Sequence, residues 1–488
     1  VNAEEPGAGK SPSGLRSEWG QESAVAHSEM VDASEEVMLK QTLSELEAKV
    51  AVRVGRLARM LLTHRLQVDP RANASREFFC PHCQGKLRIQ EEAQARTLST
   101  VFGEVEYRRP YGTCDRCHVS YAPMDCGLGI PPSGGSIKRT RQVCHAAATA
   151  RSFETAADIL REHDGIELSA KQVRIISEAE GEKLVAQSKR EVAAFKAGEL
   201  AFASAPKPEL VVVTADGGRV QTRQAEDGNA WKEDKVGGVY DALPHKDAAA
   251  VTAEDYEGAK AKIKTYVASM IAWEEFGWML CVEAMRRGYA RAKDKLFISD
   301  GAEALKSLRQ MHFKDATFIL DWYHAVEHLA DCAKAAFGMG SDECQRWYKR
   351  LKQKLWEGDV DAILRAIEKE SLRLGKPAPK EPESSPRVVL HRNLGYFANN
   401  REGLNYPQFR AEGWPIGSGI AEGAVKQFGM RLKGSEKFWN GFGCGLGADE
   451  MLALCALHRS EDDRWKDHWD RRSQPYVREL QREAADAA

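Results

Sequence analysis

Three acidic residues stand where a fold could gather them. Asp216 follows the run Val211 to Val213 in ELVVVTADGGRV, Asp300 follows Leu296, Phe297 and Ile298 in KLFISDG, and Glu422 comes just after Gly417-Ser418-Gly419 in WPIGSGIAEGAVKQFGMRLK. A β-branched or apolar run that stops at an acid followed by glycine reads as a core strand delivering one carboxylate to a sheet edge. The Gly-Ser-Gly stretch reads as a turn, with Ser418 able to cap a helix whose first turn carries Glu422. Taken singly, each acid is equally well a solvated residue at the end of an element. Three on separate elements suggest a divalent metal site. Hard oxygen donors suit Mg²⁺ or Mn²⁺. Two such ions about 3.5 to 4 Å apart would activate an attacking hydroxyl and stabilise the leaving oxygen of a phosphodiester. Arg431, Lys433 and Lys437 follow Glu422 and are either phosphate-holding cations or a solvated helix face.

A second constellation is made of sulfur. Cys80 and Cys83 form one CxxC pair and Cys114 and Cys117 another, thirty residues apart, with a strand-like stretch between. Two such turns can offer four thiolates to one tetrahedral Zn²⁺ at about 2.3 Å, a closed set that folds a module and does no chemistry. His82 and His118, beside the cysteines, are expected at the surface and not as ligands. Eleven cysteines, an odd number, with four in CxxC pairs favour metal ligation in a reducing, cytoplasmic setting over a disulfide framework.

The rest of the chain has to position these groups. Its 488 residues allow several domains. A net charge of -2 and a pI near 6.7 exclude a generally basic nucleic-acid binder, so any DNA contact has to be local. No apolar run approaches the roughly 20 residues of a membrane span. Residues 1–33, rich in Gly, Ser, Glu and Ala, lack a secretory pattern and read as disordered. Residues 34–70 read as a helical arm whose apolar stripe either packs on the body or pairs with a second copy, and 71–132 as the zinc ribbon. Residues 133–200 read as a helical region resembling a helix-turn-helix. There Ser152 and Ser169 can cap, Asp164-Gly165 breaks the helix, and Lys171, Gln172 and Arg174 open a candidate DNA-recognition helix. A plain helical hairpin has similar patterning. From 207 to 343 the order is three strands, then helix, strand, helix, strand, helix. This is the pattern of a mixed α/β sheet of the RNase H-like kind, in which the first and fourth strands are neighbours and bring Asp216 to Asp300. A helical insertion follows at 344–403, the Glu422 helix at 404–460 and a tail at 461–488. The expected fold class is therefore multidomain α+β.

TADGGRV, FISDG, ILDWYHAVEHL and above all GWPIGSGIAEGAVKQFGMRLKG resemble the DDE transposases of the bacterial ISKra insertion-sequence family, related to the Mutator type, from about Phe78 to Leu457. The resemblance implies that Asp216, Asp300 and Glu422 are the catalytic carboxylates, binding two Mg²⁺ (or Mn²⁺) ions. It implies also that Asp321 and His324 of DWYH match the family's (C/D)xxH pattern, as an ordered helix start or as a direct contact with the scissile strand. The implied partners are double-stranded DNA, both the element's terminal inverted repeats and the target, and further copies of the chain assembled on that DNA. The implied activity is end cleavage and strand transfer. A glycine-rich GFGCGLGAD at 441–449 departs from the family pattern. Two other readings compete: a nuclease on the same fold that does not join ends, and a domesticated, non-catalytic DNA-binding protein.

Overall fold

The computed structural model describes residues 12–31, 39–80, 82–202, 204–223, 230–245, 255–256, 258–434, 437–440 and 447–475. The expectations for residues 1–11 and 32–33, for the glycine-rich 441–446 and for the tail beyond 475 lie outside these described residues. The chain divides into two units: 1–146 with 154–173 and 466–488, and 147–153 with 174–465.

The first unit begins with α1 (Pro12–Val31) and α2 (Leu43–Gln67). Disorder was expected over α1, yet the stretch is helical and packs along α2, where Glu22 meets Arg56 at 2.8 Å. A polar sequence with no apolar face of its own becomes helical here through a lateral partner. Thr42 opens α2 with a capping box: its hydroxyl accepts from the Glu45 N–H at 3.3 Å and the Glu45 carboxylate accepts from the Thr42 N–H at 2.9 Å. A hairpin of β1 (Leu87–Thr100) and β2 (Gly103–Cys114) follows, extended by β3 (Ser120–Tyr121) and a short α3 (Pro123–Gly127). Asp125 of α3 is buried, but it accepts from Tyr107 Oη at 2.5 Å and Arg109 Nε at 2.6 Å and also pairs with Arg96. That compensation is what a buried carboxylate requires. Next come α4 (Ile137–Thr149), α5 (Phe153–Asp164) and α6 (Ala170–Lys196), with Gly165 at φ +63 between the last two; from Arg174 onward α6 belongs to the second unit. Ser169 and Gln172 cap α6 reciprocally.

The second unit is built on a five-stranded sheet, order β6-β5-β4-β7-β8. Its strands are β4 (Leu210–Gln221), β5 (Trp231–Leu243), β6 (Lys260–Ser269), β7 (Asp294–Ser299) and β8 (Thr317–Leu320). The first three are antiparallel, and β7 and β8 join in parallel on the other side of β4. Helix α7 (Trp273–Arg286) follows β6, α8 (Glu303–His312) follows β7 and α9 (Trp322–Phe337) follows β8. Central β4 is buried from Leu210 to Ala215, as a strand covered on both faces must be. Adjacent glycines of β5 point to opposite faces and show what covers each. A Cβ on Gly237 would meet Leu280 of α7 at 2.7 Å, and one on Gly238 would lie 3.6 Å from Ile420 of the Glu422 helix.

Three helices, α10 (Asp342–Trp356), α11 (Val360–Leu374) and α12 (Pro386–Asn399), occupy the predicted insertion, and Trp322, Trp356 and Tyr406 join it to the sheet core edge-to-face at 5.0 to 5.2 Å. After α13 (Tyr406–Ala411) come α14 (Gly419–Leu432), α15 (Ala448–Arg459) and α16 (Arg464–Arg472). One strand departs from expectation. β4 does not stop at Asp216 but runs on through Gly217-Gly218 to Gln221. The glycines are there for room: a Cβ on Gly217 would lie 2.9 Å from Glu233 Oε1, and one on Gly218 would lie 2.6 Å from Asp234 Oδ1 of β5.

Candidate active site

The parallel register sets the first two acids side by side. Thr214 of β4 lies opposite Ile298 of β7, and two residues further along each strand stand Asp216 and Asp300. Asp216 Oδ1 accepts from the Gly217 N–H at 2.7 Å, and Asp300 Oδ1 from the Ala302 N–H at 2.9 Å. Gly301 makes the Asp300 bend possible. Its φ is +81, and a Cβ there would meet Leu320 at 2.7 Å and Asn400 at 2.8 Å. The insertion steadies the same bend, because Tyr396 Oη of α12 donates to the Asp300 carbonyl at 2.9 Å.

Glu422 arrives in the first turn of α14, and His324 in the first turn of α9; His324 Nε2 and Glu422 Oε1 are 3.3 Å apart. Asp321 ties these two helix starts together. One of its oxygens accepts from the His324 N–H at 2.9 Å, the other from the Ser418 N–H, while its own N–H reaches the Ser299 carbonyl at 2.8 Å. The side chain is fully buried. Ser418 thus stands at the N-cap position but makes no side-chain cap bond; its contribution is its peptide N–H. Donor atoms of Asp321, His324 and Glu422 lie within 4.8 Å of one another. Because both Asp321 oxygens are already taken by peptide N–H groups, it orders the two helices, and His324 and Glu422 are the members that face outward to a ligand.

Electrostatics join the strand pair to the helix pair. Burial raises the Asp216 carboxyl above its ordinary range. The Gly217 N–H opposes that rise, the Asp300 charge adds to it, His324 opposes it and Glu422 adds to it. Asp216, Asp300 and Glu422 are hard oxygen donors of the kind a divalent cation takes, while the donor atoms that lie within 4.8 Å of one another are those of Asp321, His324 and Glu422. When bound, such a cation would supply Lewis-acid activation of a hydroxyl or phosphoryl oxygen.

Two neighbours had no signal in the sequence. Tyr323 is 62% exposed, with its ring 3.0 Å from where a Cβ on Gly417 would stand. Asp234 lies on the same sheet face as Asp216. It is fully buried, and neither carboxylate oxygen has a hydrogen-bond partner among the described residues. Burial pushes its carboxyl up and the Lys433 charge opposes that.

The expected phosphate-holding cations divide. Arg431 is buried, donating to the Ala147 carbonyl at 2.7 Å with its guanidinium 4.2 Å above the Phe153 ring, so it is a packing residue and not a phosphate ligand. Lys437 donates to carbonyls at the end of α14 and to Arg151 O at 2.7 Å, as a helix C-terminus favours. Lys433 is exposed. At the start of α6, Lys171 and Gln172 are exposed and Arg174 is half-buried, 3.8 Å from Glu178.

The four cysteines meet in the first unit through two turns of like geometry. Cys80 N–H donates to Gly85 O and Gln84 N–H to Cys80 O, both at 2.8 Å; Cys114 N–H donates to Val119 O and His118 N–H to Cys114 O, both at 3.0 Å. Gln84 and His118, each following the second cysteine of its pair, both adopt φ 58. Sulfur separations of 3.5 Å (Cys80 to Cys117) and 3.4 Å (Cys83 to Cys114) approach the roughly 3.8 Å edge of a tetrahedron with 2.3 Å Zn–S bonds. The Arg116 N–H points at Cys114 Sγ at 3.4 Å, supporting a thiolate there. The set fits a structural zinc. His82 and His118 are exposed and outside it.

No helix among the described residues is long and apolar enough to cross a membrane. A search of the curated proteins finds no match to the chain. The profile of a family described as Uncharacterised protein family (UPF0236) matches residues 38–473, strands, acids and cysteines included, and the chain belongs to that family.

Proposed function

We propose that this protein is a metal-dependent DNA transposase with an RNase H-like catalytic core, cutting and joining DNA ends by phosphodiester chemistry at Asp216, Asp300 and Glu422. The observation that supports the reading is the parallel register that sets Asp216 beside Asp300 on a sheet ordered β6-β5-β4-β7-β8, with the Glu422 charge near enough to raise the Asp216 carboxyl further. The family is often linked to transposase-like proteins of insertion sequences, in keeping with the motif resemblance. In this reading the carboxylates hold Mg²⁺ or Mn²⁺, His324 contacts the reacting strand or orients Glu422, and Asp321 keeps both helix starts in place. The four-cysteine module is a zinc-folded unit, and the start of α6 contributes DNA contacts through Lys171 and Gln172.

A nuclease would use the same three acids for hydrolysis alone. Purified protein is given end-labelled DNA carrying the flanks of its own coding sequence, together with unlabelled plasmid and Mg²⁺. A transposase yields label covalently joined to plasmid; a nuclease yields cut ends only. A wild-type chain that does neither, with or without Mg²⁺ or Mn²⁺, refutes the catalytic reading and leaves the non-catalytic DNA-binding alternative.

A further inference from the structure

Helix α9 reaches two of the three acids from one side. His324 in its first turn meets Glu422, and His328, four residues on and so on the same side of the helix, is half-buried against the insertion. There the His328 ring lies on the Tyr396 ring, with centroids 3.8 Å apart and planes 25° from parallel. Tyr396 is the residue whose hydroxyl donates to the Asp300 carbonyl at 2.9 Å. Asn393 fixes the histidine. It is fully buried, and its Nδ2 donates to the Val389 carbonyl at 2.9 Å, which leaves Oδ1 facing His328 Nδ1 at 2.5 Å. An amide oxygen only accepts, so the His328 proton sits on Nδ1 and the ring is held in one tautomer and one orientation. Asn393, Tyr396 and Asn400 follow at intervals of three and four along one side of α12 and its C-terminal cap. Asn400, also buried, donates to the Tyr396 carbonyl at 2.9 Å and fills the space that Gly301 leaves, where a Cβ would lie 2.8 Å from both ends of its amide. The insertion therefore grips the Asp300 bend at two points.

We propose that Tyr396 and His328 are positioning residues for Asp300: the His328 ring, pinned by Asn393, holds the Tyr396 ring, and the Tyr396 hydroxyl fixes the peptide that aims the Asp300 carboxylate. This role rests on the reading of Asp300 as a metal-holding acid. Both residues act through Asp300 and not on the substrate. A ligand carboxylate has to be held within about 0.5 Å of its place, and a bend at glycine, the most permissive residue, needs outside support to do so.

Mn²⁺ binding by the full chain without DNA, followed by the electron paramagnetic resonance of the free ion, tests it. The wild type is expected to take up Mn²⁺ and Asp300→Asn to lose that uptake. Tyr396→Phe removes one hydroxyl and keeps the ring, so the chain should stay folded while its Mn²⁺ affinity falls about fivefold to tenfold. His328→Ala should weaken Mn²⁺ binding by a similar factor. The double variant should bind no more weakly than Tyr396→Phe alone, because His328 acts through that hydroxyl. A Tyr396→Phe chain that binds Mn²⁺ as tightly as the wild type, whatever its melting temperature, has lost packing only; it overturns the positioning role and leaves Asp300 as a ligand. Additive losses in the double variant overturn the part given to His328. A wild type that takes up no Mn²⁺, or an Asp300→Asn chain that binds it equally well, overturns the metal reading and the positioning role together.

Discussion

Asp216 is half-buried and Asp321 fully buried, and their surroundings set them apart. Asp216 is held with its carboxyl raised by burial, so the folded state binds its proton more tightly than the unfolded state does. The resulting cost is absent below the unfolded value near 3.9, grows as the pH rises and is complete above the folded value. Asp216→Asn is therefore expected to raise the thermal midpoint at pH 7 and to leave it unchanged below about pH 4. With the proposed metal site, Mg²⁺ is expected to raise the wild-type midpoint and to leave that of Asp216→Asn unchanged; scanning calorimetry at both pH values, with and without Mg²⁺, checks this. Asp321 carries peptide N–H bonds on both oxygens, so Asp321→Ala should cost about 2 to 4 kcal/mol of unfolding free energy in urea titrations. A loss of activity without that loss of stability would make it a metal ligand instead. The acids at 216 and 300 were legible in the sequence because a buried strand that reaches a charge is a local pattern. The part played by Asp321 was not, because it depends on Ser418, far along the chain.

At the scale of elements, the strands and helices of the second unit follow the apolar periodicity closely, and the misreadings have steric or neighbour-dependent causes. Gly217-Gly218 looked like a strand end because glycine usually punctuates. In the fold they make space for Glu233 and Asp234 on the adjacent strand, a fact visible only once the β4–β5 register is known. Gly218→Ala should accordingly destabilise by about 1 to 3 kcal/mol, and Asp234→Ala in the same chain should recover most of it, as chemical denaturation of the single and double variants would show. Arg431 read as a DNA contact because a cation on a helix after an acid is ambiguous until its face is known; the structure turns it inward against Phe153. The cysteine module was legible outright, since paired CxxC spacing constrains geometry. One zinc per chain is expected by elemental analysis, and Cys83→Ser with Cys117→Ser should lose the metal and bring early, separate melting of the β1–β2 module. Retention of both metal and melting profile would remove the zinc assignment.

Considered as a whole, the molecule divides into two units: one carries the cysteine module, the other the sheet with Asp216 and Asp300 and the helix with Glu422. That division was partly legible, because CxxC spacing and strand order are local or periodic signals. The helical character of Pro12–Val31 was not, since it rests on a neighbour and not on its own composition. The central claim is that Glu422 completes a metal-dependent phosphodiester site with Asp216 and Asp300. Its most direct test is nicking of a supercoiled plasmid bearing the coding sequence and its flanks, by the wild type and by Glu422→Gln in Mg²⁺ and in Mn²⁺. The account predicts metal-dependent nicking by the wild type and at least a hundredfold slower nicking by Glu422→Gln, with DNA binding in gel shifts unchanged. Equal nicking by the two proteins would contradict it.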